Sequence, residues 1–206
     1  MLRIIFFTAL VTVISSLLSN YLNYSSAKNQ SIFFNDVNKE EFTFDNPDTG
    51  DNGFGYPSLA FNGVPIKTYI SRYYTNSKKY FTAINLIKAG LEYNPFCTYS
   101  LYLLSTNYVY TNNFLEAEES LYTAYNLSPN IESIAALYFT ILGELKKIDE
   151  LKSVFEKVQS SDNKNIWKFY IGSLYNINSQ SPSDIKFLEY VSNQSLKKFK
   201  ENIIEN

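Results

Sequence analysis

Two consecutive stretches decide the fold: Val64–Cys97, VPIKTYISRYYTNSKKYFTAINLIKAGLEYNPFC, and Thr98–Ile131, TYSLYLLSTNYVYTNNFLEAEESLYTAYNLSPNI. Pro95 and Pro129 stand 34 residues apart near their ends, each in an Asn/Ser-Pro stop after an apolar helical pattern. Laid in register, the stretches pair Ile70 with Leu104, Ser71 with Ser105, Tyr74 with Tyr108, Ala83 with Ala117, Ile87 with Leu121 and Gly90 with Ala124. The pattern has a packing rationale. Where paired helices cross, side chains must be small, and Ala83, Gly90, Ala117 and Ala124 supply this on the second helix of each pair, Ser71 and Ser105 on the first. Ile70, Leu104, Tyr74 and Tyr108 fill the space between helices. Pro95 and Pro129 end the second helix, because proline lacks the amide donor and clashes with the preceding turn. The stretches therefore read as helix-turn-helix units of an all-α protein.

The period and residue order resemble the tetratricopeptide repeat, a helix-turn-helix unit that stacks into a superhelix. The resemblance covers residues 64–158 well and 165–203 poorly. It implies a right-handed superhelical stack of three to four units plus a C-terminal helix, with the first helix of each unit lining a concave, partner-binding surface. On that implication the lining comprises Thr68, Arg72 and Thr75, then Tyr99, Tyr102, Thr106, Val109 and Tyr110, then Ala136 and Thr140, with Phe169 and Ser173 closing it. Such a lining is aromatic and neutral, with Arg72 its one fixed cation, and suits apolar or aromatic anchors of a partner protein. In the alternative reading Tyr99, Tyr102 and Tyr110 pack on the preceding linker or the next helix. The family's chaperone-tail receptors hold a terminal carboxylate with Lys, Asn and Arg. Thr68, Arg72, Leu103, Ser133 and Leu137 stand at the matching places here, so that specificity is not expected.

Further along, the register loosens, as terminal units of a stack do. Leu142 to Val158 reads as a turn and a second helix, with Leu151 and Val158 replacing the small residues, which predicts a splayed or repacked third unit. Ile171-Gly172 with Tyr175 repeats the order of Leu104-Ser105 and Tyr108 and suggests another first helix. A last helix is expected over roughly Ser183 to Ile203, with Ile185, Leu188, Val191, Leu196 and Phe199 on one side and Asp184 in its first turn.

Before the repeats, the chain divides into residues 1–27 and 28–63, leaving 64–206 as the repeat domain. Arg3 and the apolar run Ile4 to Leu18, followed by Ser25-Ser26-Ala27, have the layout of a secretory signal cut after Ala27. Extended through Tyr21 and Leu22, the run equally suits an uncleaved membrane anchor over residues 4–22. Either of these outcomes places the protein in a cell envelope, periplasmic, tethered to the inner membrane or exported; the third alternative is a buried N-terminal helix of a soluble protein. Residues 28–63 read as an acidic spacer holding Gly50, Gly53, Gly55 and Gly63, in which Asp36, Glu40, Glu41, Asp45, Asp48 and Asp51 outnumber Lys28 and Lys39. Two apolar pieces, Ile32-Phe33-Phe34 and Phe42-Thr43-Phe44, are placed to dock on the repeats or on a partner. The stretch from Asp45 to Gly53 fails as a calcium loop, because Leu59 falls where a bidentate Glu is needed.

At 206 residues, 45% apolar and net −2, the chain supports one folded domain and excludes a polyelectrolyte or nucleic-acid clamp. Its 18 Tyr and 16 Phe match both a protein-binding surface and the Asn-, Ile-, Lys-, Phe- and Tyr-rich usage of AT-rich genomes. Lone Cys97 cannot form an internal disulfide and reads as a small buried residue. With no histidine in the chain, the usual general base and the commonest zinc ligand are missing. Glu116, Glu118, Glu119, Asp149 and Glu150 read as solvated charge. The expectation is a protein with no enzymatic activity, cofactor or metal: a scaffold or adaptor in an envelope assembly such as a flagellar-motor collar, a pilus or secretion apparatus, or an outer-membrane assembly machine. Its partners are then other envelope proteins, with self-association open. The rival is a soluble periplasmic protein that binds a peptide or ligand transiently.

Overall fold

The computed structural model describes residues 2–44, 47, 59–177 and 181–204. Among these the regular elements are helices, and the only β pairing is an isolated antiparallel bridge between Leu59 and Pro65. In chain order they are α1 (Leu2–Lys39), α2 (Ile66–Asn76), α3 (Tyr80–Leu91), α4 (Thr98–Tyr110), α5 (Phe114–Leu127), α6 (Glu132–Glu144), α7 (Ile148–Ser153), α8 (Phe155–Gln159), α9 (Lys164–Asn176) and α10 (Pro182–Ile204). The fold is all-α. It divides into two compact units, residues 1–100 and 101–206, with α4 beginning in the first and running on in the second.

In the first unit, α2 and α3 form an antiparallel hairpin, and the C-terminal part of α1 packs on α2. Pro65 precedes the first turn of α2, where its missing amide leaves no helical bond unmade. Ile66, Tyr69, Ile70 and Tyr73 all turn inward and meet Phe33 of α1, with Phe42 and Phe44 packed around them. The rings of Phe33 and Phe42 lie 5.6 and 5.0 Å from that of Tyr73, edge to face. Each such side chain contributes about 1.5–3 kcal/mol by leaving water. Both apolar pieces of the spacer thus dock on α2. Residues 28–39 differ from a spacer in belonging to α1, because Phe33 and Val37 share a face at helical spacing with Asp36 beside them. The chain leaves α1 through Glu40 in the left-handed region (φ 57°), and the Glu41 amide closes the end by donating to the Asp36 carbonyl at 3.0 Å.

In the second unit, α6 is central, packing on α5, α7 and α9. Its core combines Leu, Ile and Val side chains with a set of aromatic rings. Tyr125 of α5 stacks on Tyr138 of α6 at 5.0 Å, and Phe139 meets the edge of Tyr170 of α9 at 5.3 Å. Part of the aromatic excess is therefore interior. The Tyr170 hydroxyl donates to the Leu151 carbonyl at 2.7 Å, and Trp167 Nε1 donates to the Ser161 carbonyl at 2.9 Å, so neither buried polar tip is orphaned. Leu151 and Val158 are fully buried, and the second helix of this pair is broken at Val154 into α7 and α8. The larger side chains thus coincide with a repacked helix. α10 lies against α9, its Val191 buried and Phe187 against Phe155.

Three turns between helices have one backbone geometry at intervals of 34 residues. Lys78, Asn112 and Lys146 occupy the left-handed region with φ of 58°, 59° and 56°. The next amides, of Lys79, Asn113 and Lys147, reach back to the carbonyls of Tyr74, Tyr108 and Leu142 at 2.8, 2.9 and 2.9 Å. The carbonyls of Lys79, Asn113 and Lys147 in turn accept from the amides of Ala83, Ala117 and Leu151 at 3.1, 3.0 and 3.1 Å. Each turn closes one helix and opens the next with the same bonds, which satisfies carbonyls and amides that helix ends leave bare.

Candidate interaction face

The residues around α4 show what its sequence segregates. Ser100, Leu101, Leu103, Leu104, Ser105, Asn107 and Tyr108 are buried, while Tyr99, Tyr102, Thr106 and Val109 are half-buried and Tyr110 is exposed. At about 100° per residue these five occupy one stripe roughly 100° wide on the helix. The stripe is neutral. The Thr106 hydroxyl is turned back to the Tyr102 carbonyl at 2.9 Å, and Ser105, flanking the stripe, donates to the Ala117 carbonyl of α5 at 2.9 Å. Asn107, fully buried, donates through Nδ2 to the Leu103 carbonyl at 2.8 Å. The Tyr99 ring lies 6.3 Å from that of Tyr69.

On α2, Arg72 is half-buried, and among the described residues its Nε finds no hydrogen-bond acceptor. Thr75, three residues on, is half-buried as well. Thr68 corrects the sequence assignment: it is buried, its hydroxyl 2.7 Å from that of Ser100, and so it holds helices together instead of facing a partner. On α6, Ala136 is half-buried, and Thr140 is exposed with its hydroxyl bonded to the Ala136 carbonyl at 2.7 Å. On α9, Phe169 is exposed, whereas Ser173 is buried against Gly143 of α6, a second departure from the predicted lining. The register assigned to α9 is also corrected. Gly172 and Tyr175 face outward, and Ile166, Trp167, Tyr170 and Leu174 form the inward side, because the large rings claim the core and displace the Ile-Gly-Tyr order from it.

Among the residues assigned to packing, Ala83, Gly90, Ala117, Ala124 and Tyr108 are buried, Tyr74 and Pro129 are half-buried, and Pro95 is exposed in the turn after α3. A methyl at Gly90 would stand 3.0 Å from Pro65 Cβ and 3.2 Å from Thr68 Oγ1, which is why the hairpin has no side chain there. Cys97 is buried. Glu118 departs from a purely solvated acid, since its carboxylate holds Lys147 Nζ at 2.7 Å and that hydrogen bond raises the lysine's pKa above its ordinary value. Burial pushes Tyr125 up to about 12 and moves Tyr138 and Tyr170 the same way, so these phenols stay neutral and serve as packing. Among the described residues no three of His, Cys, Asp and Glu are grouped so as to hold a metal ion. The stretch from Asp45 to Gly53, apart from Pro47, lies outside the described residues.

Sequence reasoning missed Asp36, Tyr73, Trp167, Tyr170 and the three left-handed turn residues. Only the last carried a signal, the 34-residue spacing of Lys78, Asn112 and Lys146 between apolar runs, and none of them is the glycine that marks such a position.

No protein-family model matches the chain, and no curated protein shows significant sequence similarity to it. Among solved structures, that of a presumptive protein-binding protein from Bacteroides ovatus aligns over 91% of this chain and 96% of its own, with a TM-score of 0.41 and 12% identity.

Proposed function

We propose that the chain is a non-enzymatic adaptor that binds other proteins through tetratricopeptide-like helix pairs in a bacterial cell-envelope assembly. The observation that carries this reading is the neutral Tyr99, Tyr102, Thr106, Val109 and Tyr110 stripe on α4, incompletely covered although the opposite side of the helix is fully packed. Tyr offers large contact area at low conformational cost, together with a hydroxyl that can bond a partner's backbone. The 34-residue recurrence of the turns supports the repeat architecture that would present such a face. A helix long and apolar enough to cross a membrane supports the envelope setting. No residue cluster in the proposal performs chemistry.

The test is site-specific photocrosslinking in the native cells, with the photoreactive residue at Tyr102 or, as control, at exposed Tyr122 on α5. A discrete protein adduct from Tyr102 that is absent at Tyr122 supports the adaptor, and the same adduct co-purifying in fixed ratio makes it a structural subunit. Equal or absent crosslinking at both positions overturns the assigned face.

A further inference from the structure

The adaptor reading leaves open whether the apolar part of α1 is removed or kept. We infer that it is kept, and that a single helix passes from the lipid bilayer straight into the first folded unit, so that this unit stands on the membrane surface without a tether.

From Arg3 to Tyr24 every side chain is exposed. Ile4, Ile5, Phe6 and Phe7 are consecutive and so point to all sides of the helix, while Leu10, Val11, Val13, Ile14, Leu17 and Leu18 after them share an arc roughly 160° wide, with Thr8, Thr12, Ser15, Ser16 and Ser19 on the other side. A partner seated on that arc would leave Ile5 in water, whereas a hydrocarbon layer covers the first turn on every side. The length agrees. Ile4 to Leu22 spans about 28 Å at 1.5 Å per residue, against a hydrocarbon core of about 30 Å. Lipid also demands that polar groups be satisfied internally, and the Thr8 hydroxyl donates to the Ile4 and Ile5 carbonyls at 3.0 and 2.9 Å, that of Thr12 to the Thr8 carbonyl at 2.9 Å. One end carries Arg3 and the other Tyr21 and Tyr24, residue types that settle at the membrane-water boundary.

What separates an anchor from a removable signal is the segment that follows. Ser25-Ser26-Ala27, the candidate cut, lies in the interior of α1 with no break in the helix, whereas a peptidase must take its substrate extended. Ser26 is already buried and accepts a hydrogen bond from Gln30 Nε2 at 3.3 Å. Two turns on, Phe33 and Asp36 key the same helix to α2. Exposure therefore gives way to protein packing at the level where the bilayer would end.

The experiment uses the full chain expressed in a bacterium. Carbonate-washed membranes are analysed by intact mass, with the unprocessed 23.8 kDa chain expected in the membrane fraction. A species lacking residues 1–27, or release of the intact chain by the wash, overturns the inference. Separately, Val11→Cys, Leu18→Cys and Ala27→Cys chains, each also carrying Cys97→Ser, are placed in vesicles of phosphatidylethanolamine and phosphatidylglycerol. They are treated with a water-soluble maleimide, which needs a hydrated thiolate. At least a tenfold rise in labelling rate between positions 18 and 27 is expected, and equal rates at all three overturn it. Neither readout depends on whether the α4 stripe binds a protein.

Discussion

The carboxylate of Asp36 on α1 accepts the phenolic proton of Tyr73 on α2 at 2.7 Å, both residues being buried. The same oxygen, Oδ2, accepts the Thr43 amide at 3.0 Å and the Thr43 hydroxyl at 2.5 Å, so one side chain ties the long helix, the segment after it and the first hairpin together. Hydrogen bonds to a charged acceptor contribute about 1.5–3 kcal/mol each. Tyr73→Phe, which deletes one of the three and keeps the ring packing, is expected to cost about that much. Asp36→Ala should cost more, because it strands the Tyr73 hydroxyl and Thr43. Urea unfolding of the full chain in detergent, followed by circular dichroism, checks both, and a neutral Tyr73→Phe would show the bond to be idle.

Acid should expose the same contact. Burial alone would raise the Asp36 pKa, but the hydrogen bonds from Thr43 and Tyr73 and the nearby Lys39 charge outweigh it and hold the carboxyl below its ordinary 3.8. A group depressed in the folded state adds stability that is complete above its unfolded pKa and disappears as pH falls through the folded one. Between pH 7 and 5 the stability gap between wild type and Asp36→Asn should be constant, and it should narrow below about pH 4 as the wild-type carboxylate takes up its proton. A gap unchanged down to about pH 2.5 would contradict this.

The recurrent turns make a prediction of opposite sign. A left-handed conformation costs a non-glycine residue about 1–2 kcal/mol, least for Asn, whose side chain bonds locally. Lys78→Gly and Lys146→Gly should therefore stabilise by about 0.5–1 kcal/mol after the extra chain entropy of glycine is counted, and Asn112→Gly should be nearly neutral. Thermal unfolding midpoints of the three variants settle the order.

Two glycines in the second unit should respond differently to the same methyl group. At Gly143 on α6 a Cβ would lie 3.3 Å from the Ser173 carbonyl oxygen, backbone that cannot swing aside, so Gly143→Ala should destabilise by about 1–3 kcal/mol as an overpacked contact does. At Gly172 on α9 nothing lies within 4 Å, and Gly172→Ala should gain about 0.5–1 kcal/mol of helix propensity. Paired denaturation curves decide it; a loss at Gly172 would mean that the outward register of α9 is wrong.

Alanine at Tyr99 and Tyr102 together should weaken capture of the photocrosslinked partner at least tenfold while leaving helicity and the unfolding midpoint close to wild type. Undiminished capture by a folded double variant would move the binding site off α4.

The helix pairs were legible because packing at a fixed interval leaves a fixed chemical trace: a small residue wherever two helices touch, as at Ala83 and Ala117, both fully buried. The trace fades where tyrosine and tryptophan fill the core, since an aromatic ring can face inward or outward without changing the sequence pattern. That is why Ile171-Gly172-Tyr175 suggested a register that Trp167 and Tyr170 displaced. Thr68 and Ser173 were misplaced for a related reason, since a small hydroxyl residue suits a wet groove and a tight helix crossing equally well.

By itself the sequence determined the all-α class, the 34-residue period and an apolar segment long enough for a bilayer, because these depend on periodicity and composition along the chain. Only the tertiary structure decided that residues 28–39 continue α1 and that Asp36, which reads locally as one more acid of a spacer, is buried on Tyr73. The carboxylate becomes a structural element only because the Tyr73 hydroxyl of another helix joins the two Thr43 donors on one oxygen, and no local pattern records that convergence.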